Sequence, residues 1–340
     1  MPFQYIARRF MWMIVSIIGI SVITFTISHV IPADPVVALA GMEARGEEIE
    51  ALREKFGLDR PLHEQYVRWL VNLSRGDLGI AMHSGKPVME DLRRYAPASA
   101  ELALVALGLV AILGVAIGVV AALHKDHLLD HVSRIIALSG VSMPIFWVAL
   151  IAQITLAGRL RVLPADGRIG ILLGPPDRVT GLYTVDSLLA GDLEMFGNAL
   201  KHLLMPAACL AFGTMARLVR IVRSSMVDVL GEEYVRTARA KGLQERTVIV
   251  VHALRNALIP AVTTLALLMG ALMGGIFLVE LVFSWPGLGF YAMRSARFID
   301  YPAIMGVTLL MTITYAVLNF FADLAYGYLD PRISIEEEGR

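Results

Sequence analysis

The sequence predicts an all-α, polytopic membrane protein with six transmembrane helices. Hydrophobic residues make up 56% of the 340-residue chain, and its mean hydropathy is +0.65. Five long stretches contain no Asp, Glu, Lys or Arg, namely residues 10–33, 102–124, 135–158, 256–279 and 301–322. A helix of about 22 residues is about 33 Å long, enough to cross a hydrocarbon core of roughly 30 Å. These stretches therefore predict five membrane spans.

The sixth span is less regular. Residues 202–216 also lack Asp, Glu, Lys and Arg, but they number only 15. The helix must therefore include Leu200 and Lys201 or continue past Arg217, with long cationic side chains reaching the membrane surface. An even number of spans places both termini on the same side of the membrane.

Arg8 and Arg9 precede the first span, and short basic flanks of this kind stay in the cytoplasm. The first span is too long for a secretory signal and no A-x-A cleavage site follows it, so a signal anchor is expected. The long loop 32–97 carries nine Lys and Arg but also 11 acids, and long loops cross the membrane largely regardless of charge. The sequence therefore predicts a cytoplasmic N-terminus and C-terminus.

The predicted segments follow in chain order. They are a cytoplasmic N-terminus (1–9), span one (10–31), a helical periplasmic loop (32–97), span two (98–123), a cytoplasmic turn (124–134), span three (135–158), a periplasmic loop (159–198), span four (199–216), a cytoplasmic loop (217–255), span five (256–279), a periplasmic loop (280–302), span six (303–327) and a cytoplasmic tail (328–340).

Two amphipathic helices are expected in the first outer loop. Ile49, Leu52 and Phe56 repeat at helical spacing, and Pro61 opens a second helix. The apolar face of that second helix consists of Leu62, Tyr66, Trp69, Leu70 and Leu73. The two helices form either a landing surface for an external protein or a lid packed over the spans. The second outer loop is rich in Gly and Pro, which predicts irregular loop with at most a hairpin.

Several residues within or near the spans have two interpretations. Pro144 predicts a kink in span three. The glycines Gly114, Gly118, Gly270, Gly274 and Gly275 allow close helix packing, or line a dimer interface or a pathway. Glu101, Glu280 and Asp323 lie at span ends, where reaching toward the membrane surface is favoured over a role in a pathway.

The cytoplasmic loop 217–255 holds eight Lys and Arg against four Asp and Glu. It predicts two short helices broken at Gly242, where a left-handed residue ends the first helix. Such an element suits the groove of a partner protein: the small residues Ala238 and Ala240 allow close entry, and Arg236, Arg239 and Lys241 offer charges to an acidic rim. A solvated positive loop is the alternative.

Catalytic motifs are missing from the sequence. There is no P-loop, the nearest fragment being Gly85-Lys86-Pro87, and neither a nucleophile elbow nor a His-Glu-x-x-His zinc motif. We therefore expect no enzyme, no metal site and no cofactor bound by this chain. The net charge of zero argues against a nucleic-acid partner. A self-sufficient secondary transporter or channel is the alternative, but such carriers bury ionisable residues in mid-span, and the five clean spans have none at their centres.

Residues 237–242 (Thr-Ala-Arg-Ala-Lys-Gly) and 252–260 (His-Ala-Leu-Arg-Asn-Ala-Leu-Ile-Pro) resemble the cytoplasmic "EAA" loop of ABC importer permeases, in the form used by the dipeptide, oligopeptide and nickel family. The resemblance covers nearly the whole chain. Further matching motifs are Tyr5-Ile6-Ala7-Arg8-Arg9, Pro32-Ala33-Asp34-Pro35, Gly57-Leu58-Asp59-Arg60-Pro61-Leu62, Gly76-Asp77-Leu78-Gly79, Phe283-Ser284-Trp285-Pro286-Gly287-Leu288-Gly289, Asp300-Tyr301-Pro302 and Leu329-Asp330-Pro331-Arg332. Arg236 and Arg255 depart from the general importer pattern, and both are tolerated in the peptide and nickel branch.

The resemblance implies the type I importer fold in a bacterial inner membrane and a role as the first permease of a pair. It implies a second permease, for which the resemblance favours a paralogue over a copy of this chain, two P-loop ATPase subunits that bind ATP and Mg, and an external solute-binding protein. It implies that the loop transmits ATPase closure through Tyr234, Arg236, Thr237, Ala238, Arg239, Ala240, Lys241, Gly242, His252, Arg255 and Asn256. Dipeptides, oligopeptides, nickel chelates, glutathione-like peptides and oligosaccharides all stay open as substrates.

Overall fold

The computed structural model describes residues 3–30, 59–170 and 172–329, together with the isolated residues 46, 50, 53 and 54. Helices dominate, as predicted, and an isolated β-bridge between Ile80 and Pro87 is the only extended pairing in the described ranges. The helices are α1 (Phe3–Val30), α2 (Leu62–Ser74), α3 (Val88–Leu123), α4 (Leu128–Ser142), α5 (Ile145–Ala152), α6 (Tyr183–Leu189), α7 (Leu193–Leu230), α8 (Glu233–Ala240), α9 (Glu245–Thr247), α10 (Leu254–Ala257), α11 (Ile259–Val282), α12 (Leu288–Arg297) and α13 (Tyr301–Leu329), with π-helical segments at Gln153–Arg159 and Val248–Ala253.

Five of these helices are long and apolar enough to cross a membrane: α1, α3, α7, α11 and α13. The remaining predicted span, residues 135–158, corresponds to α4 followed by α5 and its π-helical extension, which are bent by 108° at the break between them. The bend is larger than the kink expected at Pro144. Pro144 has an extended backbone, with ψ of 132°, and precedes the first residue of α5. Because proline lacks an N–H, it ends one helix and starts another.

The fourth predicted span, residues 199–216, is part of a longer helix. α7 runs from Leu193 to Leu230, so it extends the apolar stretch at both ends. Its N-terminus is capped by Asp192, whose carboxylate accepts a hydrogen bond from the Met195 backbone N–H at 2.9 Å. The predicted cytoplasmic loop 217–255 therefore begins as about four further turns of this helix. The prediction of a possible hairpin in the second outer loop is wrong, because the described residues of that loop contain α6 and no strand.

The chain divides into two compact units, of which the first comprises residues 1–6, 100–285 and 318–340. Its core lies between α3 and α7. A Cβ added to Gly114 would lie 2.8 Å from the Leu218 side chain, and one added to Gly118 would lie 2.7 Å from Val222. These glycines therefore serve packing within the chain, and larger residues would push α3 away from α7.

The second unit comprises residues 7–99 and 286–317. Here α2 packs on α1 through the predicted apolar face. The hydroxyls of Tyr66 and Ser21 lie 2.8 Å apart, and the Tyr66 ring meets the Phe25 ring edge-on with centroids 5.1 Å apart. Trp69, Leu70 and Leu73 are partly buried, whereas Leu62 is exposed. The helix expected around Ile49, Leu52 and Phe56 lies outside the described residues.

Several buried polar side chains in the second unit are paired with one another. The His83 imidazole lies 2.7 Å from the Asp300 carboxylate, and Asp91 accepts hydrogen bonds from Ser84 at 2.8 Å and from Tyr291 at 3.1 Å. Burial, helped by the negative charge of Asp91, raises the pKa of the Tyr291 phenol. The Asp300-Tyr301-Pro302 motif thus has a structural role, since Asp300 also precedes the first turn of α13 and accepts from the Ala303 N–H at 3.3 Å.

Candidate functional site

Segment 233–257, comprising α8, α9, the second π-helical segment and α10, is the candidate site. Its first helix, α8, ends as the sequence predicts. Gly242 has φ of +76°, its N–H donates to the Arg239 carbonyl at 2.9 Å, and the Leu243 N–H donates to the Ala238 carbonyl at 3.4 Å. These two hydrogen bonds form a Schellman motif, which satisfies the last carbonyls of α8. The left-handed glycine therefore sets the sharp turn between α8 and α9.

A small apolar cluster seats α8 within the first unit. Val235 and Val248 are fully buried and Ala238 is 7% exposed, and all three pack with Val229 and Leu230 at the end of α7. The cluster fixes which face of α8 points outward. It also corrects one prediction: Ala238 was expected to enter a partner's groove, but it belongs to the inner face because it packs on Val248.

The outward face of α8 is polar and basic. The exposed residues of α8 and the turn after it are Glu233, Tyr234, Arg236, Thr237, Arg239, Ala240, Lys241 and Gly242. Arg236 and Lys241 form no ion pair in the part of the chain that the structure describes. No heavy atom lies within 4 Å of the position that a Cβ on Gly242 would occupy. A partner protein can therefore approach Gly242 closely and meet two unpaired cations beside it.

Arg239 behaves differently from these two cations. Its Nη2 lies 2.6 Å from Glu245 Oε1, and its Nε lies 3.1 Å from Oε2. The Arg239 guanidinium lowers the pKa of the Glu245 carboxyl, and the same ion pair raises the pKa of Arg239. Glu245 thus neutralises Arg239 within this chain and links α8 to α9, and the expectation that Arg239 offers its charge to a partner stays a prediction.

The C-terminal part of segment 233–257 connects it to α11. Asn256 donates from its Nδ2 to the Tyr234 hydroxyl at 2.8 Å, which ties α10 to α8. His252 is half-buried in the π-helical segment, whereas Arg255 and Asn256 are exposed. Leu258 has helical φ and ψ and is the single residue between α10 and α11. The segment is thus joined to a span by an almost continuous helical backbone.

The residues predicted to serve gating or helix packing fall in different environments. A Cβ on Gly275 would lie 3.1 Å from Leu210 and 3.3 Å from Ile145, so Gly275 is a packing position. Gly270 is buried, and Gly274 is exposed with no heavy atom within 4 Å of an added Cβ. The structure does not bring these glycines to segment 233–257.

Sequence reasoning missed a buried cluster in the first unit, which we call the Arg168 cluster: Glu101, Arg168, Gly181, Tyr183, Thr184 and Trp285. Arg168 donates to the Glu101 carboxylate and, at 3.0 Å, to the Gly181 carbonyl. The Thr184 N–H and hydroxyl donate to the other Glu101 oxygen at 2.8 and 2.7 Å. The Arg168 guanidinium carbon lies 3.6 Å from the centroid of the Tyr183 ring, close enough for a cation–π contact.

The Arg168 cluster corrects the expectation that Glu101 reaches toward the membrane surface. Glu101 is 3% exposed and paired, and Glu280 is fully buried as well. The expectation for Asp323, which is partly buried, stays a prediction. Another buried acid, Asp130 on α4, accepts two hydrogen bonds of 2.6 Å from Arg223 on α7. No local sequence signal predicted these pairs, because their partners are 67 and 93 residues apart.

Within the described residues, no group of three His, Cys, Asp or Glu side chains is placed to hold a metal ion. Segment 233–257 presents an exposed basic surface and is joined to α11 through Leu258.

Comparisons with known proteins identify the family to which the chain is similar. Residues 114–335 match the profile of the family described as binding-protein-dependent transport system inner membrane component, and residues 2–90 match the profile of the N-terminal part of such membrane components. The chain is 43% identical over 334 residues to a probable D,D-dipeptide transport system permease protein of Escherichia coli strain K12, covering 98% of both chains. It is 40% identical over 332 residues to a dipeptide transport system permease protein of Alkalihalophilus pseudofirmus, covering 97% of this chain and 98% of the relative. It is 33% identical over 330 residues to a glutathione transport system permease protein of Escherichia coli O6:H1, with coverage of 97% and 98%.

Proposed function

The chain belongs to the family of inner membrane components of binding-protein-dependent transport systems, and from this premise we propose that it carries small peptides into the cell as one half of an ATP-driven pathway. It is a multi-pass permease subunit of an ABC importer. Membership of this family disfavours a self-sufficient secondary transporter or channel.

The proposed coupling of ATPase closure to transport rests on the two different faces of segment 233–257. Its inner face is seated on buried Val235 and Val248, and its outer face presents Arg236 and Lys241 without ion-pair partners in the described chain. Separate P-loop ATPase subunits, which bind ATP and Mg, dock on this face in the cytoplasm. Their closure moves the segment as one piece, because the Tyr234–Asn256 hydrogen bond and the Arg239–Glu245 pair hold its parts together.

The movement reaches the membrane through α10 and Leu258 into α11. A displaced α11 carries its neighbours with it, since Gly275 packs against Leu210 of α7 and Ile145 of α5. Access to the pathway then changes from the outside to the inside of the membrane. In this proposal both termini are cytoplasmic, this chain binds no cofactor, and hydrolysis belongs to the ATPase subunits.

The proposed substrate is a dipeptide or a related small peptide. Relatives at 43% and 40% identity carry dipeptide in their names, and the more distant glutathione relative transports another small peptide by its name. The proposed partners are a second permease, which is a paralogue of this chain, two ATPase subunits and an external solute-binding protein.

The test is purification of the tagged chain from its native host in mild detergent, with identification of the co-purifying subunits and assays of ATPase activity and dipeptide uptake. We expect Gly242→Asp to abolish uptake while membrane insertion is unchanged. Gly242→Asn is the matched control, since Asn and Asp have the same shape and both tolerate a left-handed backbone. The space beside Gly242 is open within the chain, so a difference between the two variants reports the added charge facing a partner.

A second pair of variants tests the cations. Arg236→Glu combined with Lys241→Glu should release the ATPase subunits, whereas Arg236→Lys with Lys241→Arg keeps both positive charges and should retain them. Normal ATPase binding and uptake by the charge-reversed variant would show that docking occurs elsewhere. A lone chain that moves solute down an ion gradient would overturn the importer proposal itself.

A further inference from the structure

A cavity of about 480 Å³ lies between α4 and α7, away from segment 233–257. Its polar wall carries three arginines, Arg134 on α4 and Arg220 and Arg223 on α7, together with the Ser224 hydroxyl. The volume is in the range of pockets that hold small ligands. None of the residues that line this cavity is acidic.

The arginines are not equally available. Asp130, which is fully buried, is held by Arg223 through two hydrogen bonds of 2.6 Å, so these two charges cancel. Arg134 lies 3.7 Å from Asp130, with its side chain 48% exposed, and it also bonds to His131. Arg220 is exposed and has no ion pair among the residues that the structure describes. The cavity therefore keeps a surplus of positive charge, centred on Arg220 and Arg134.

The cavity has an apolar end as well. Along α4, Arg134 is followed one turn later by Leu138, and along α7, Arg220 is preceded one turn earlier by Ala216. α4 and α7 run antiparallel, because Asp130 pairs with Arg223 while Gly140 meets the backbone of Phe212. Both helices thus place their arginines at one end of the cavity and their apolar residues about 6 Å further along, at about 1.5 Å per residue.

The apolar end continues onto an open surface of α4. Leu138 is 56% exposed and Val141, almost one turn further from Arg134, is 62% exposed, on a helix that crosses or enters the membrane. In a bilayer, acyl chains cover such side chains. The combination of a cationic end near the surface and an apolar end toward the membrane interior matches an amphiphile with a negative head.

We propose that this cavity binds the phosphate of an anionic phospholipid from the cytoplasmic leaflet. The inference rests on the orientation given under the proposed function, which puts the turn 124–134 in the cytoplasm. Arg220 supplies the free guanidinium, Arg134 supplies a second one, and Ser224 donates from its hydroxyl. Arg223 stays with Asp130 and holds the two helices at the spacing that leaves room for the headgroup. Basic pockets between transmembrane helices on the cytoplasmic side recognise lipid headgroups in this way.

The experiment uses the full chain purified together with its partner subunits. Native mass spectrometry measures the affinity for dioleoylphosphatidylglycerol and for dioleoylphosphatidylcholine, each added at the same concentrations. We expect the wild type to prefer phosphatidylglycerol, and Arg220→Gln to weaken that binding about fivefold, the amount expected for one cation near a membrane surface. Arg220→Lys keeps the charge and should retain most of the affinity.

Arg217→Gln is the matched control. Arg217 is an exposed arginine one turn earlier on the same helix and does not line the cavity. Its removal should change the affinity less than twofold, and 20 mM inorganic phosphate should leave phosphatidylglycerol bound. Equal affinity for the two lipids, equal losses in the Arg217 and Arg220 variants, or displacement by inorganic phosphate would overturn the proposal.

Failure of this inference is distinguishable from failure of the proposed function. If only the lipid site is wrong, ATPase subunits still co-purify and Gly242→Asp still abolishes uptake, while phosphatidylglycerol shows no preference. If the transport proposal is wrong, the ATPase subunits are missing from the preparation.

Discussion

The Arg168 cluster and segment 233–257 both gather charged residues in the first unit, but they place them in opposite environments. In the Arg168 cluster the paired side chains of Arg168 and Glu101 are 5% and 3% exposed. In segment 233–257 the paired side chains of Arg239 and Glu245 are 41% and 55% exposed. A buried charge needs a countercharge or hydrogen bonds, whereas an exposed one is hydrated and free to exchange partners. The first arrangement determines structure, whereas in the second Arg239 is paired only at the surface and Arg236 and Lys241 have no ion pair among the described residues.

The largest effect is expected from breaking the buried pair. Arg168→Met leaves the Glu101 carboxylate buried with hydrogen bonds from Thr184 but without its countercharge. The loss of one member of a buried ion pair costs about 3–5 kcal/mol. The measurement is the free energy of unfolding of this chain in mixed micelles, with the chain expressed as a fluorescent-protein fusion.

The double variant Arg168→Met with Glu101→Gln provides the control, because it removes both charges. It should be more stable than Arg168→Met alone, since no charge is then left buried without a partner. Equal stability of Arg168→Met and the wild type would show that the cluster does not bear on folding, and the contrast between the two regions would then be wrong.

The sequence predicts features that depend on neighbouring residues, as in segment 233–257, better than features that depend on distant ones, as in the Arg168 cluster. Apolar periodicity and the position of Gly242 depend on neighbouring residues, so the spans, the short helix α8 and its left-handed end could be predicted. The exposed positions of Arg236 and Lys241 could be predicted too, because both lie in or beside one short amphipathic helix, whereas their docking role stays a prediction. Local patterns of this kind are present in a single sequence.

The features that could not be predicted depend on distant residues. Glu101 meets Arg168 only after the outer loop has folded back on α3, and the 108° bend at Pro144 depends on what α5 packs against. The buried position of Ala238 depends on Val248, which lies beyond the turn at Gly242. A sequence pattern indicates that a residue is small or charged, but burial and pairing are properties of the packed chain.

A smaller effect, and one that depends on pH, is expected at Asp186, which neighbours the Arg168 cluster in α6. Burial by itself raises the pKa of Asp186, but hydrogen bonds from Thr180 and Gly181, of 2.7–2.8 Å, outweigh it and lower the pKa below its ordinary value. The carboxylate therefore stabilises the folded state above its unfolded pKa of about 3.9, and this stability is lost as the pH falls through the lower folded value. Asp186→Asn should cost about 2 kcal/mol at pH 7.

Unfolding curves of Asp186→Asn and the wild type between pH 7 and pH 3 check this prediction. The difference between them should be constant down to about pH 5 and should shrink below about pH 4 as the wild-type carboxyl becomes protonated. A difference that grows on acidification would mean that the folded pKa lies above the unfolded one, contrary to the hydrogen-bond geometry.

In segment 233–257 a single substitution is expected to act on the backbone alone. Gly242→Val forces a β-branched residue into φ of +76°, at a position where no neighbouring atom obstructs the side chain. The left-handed conformation costs about 1 kcal/mol for a residue with a Cβ. The Schellman hydrogen bonds of Gly242 and Leu243 should open more often, and hydrogen exchange of their amides measures this directly. Gly242→Asn should exchange more slowly than Gly242→Val, and neither variant should change exchange in α6.

The smallest effect on folding stability is expected at the exposed Arg239–Glu245 pair. Glu245→Gln removes the partner of Arg239, but both side chains are hydrated, and surface ion pairs contribute little to folding. The unfolding transition should therefore be unchanged within error at physiological salt, in contrast to Arg168→Met.

The Arg239 guanidinium, however, becomes free to meet a partner's carboxylate, so binding of the ATPase subunits should become more sensitive to salt. The measurement is ATPase retention on the tagged chain across a salt series, with Arg239→Gln as the control that removes the same cation. A clear loss of stability in Glu245→Gln would mean that this pair, like the buried one, determines structure, and the separation of roles between the two regions would not hold.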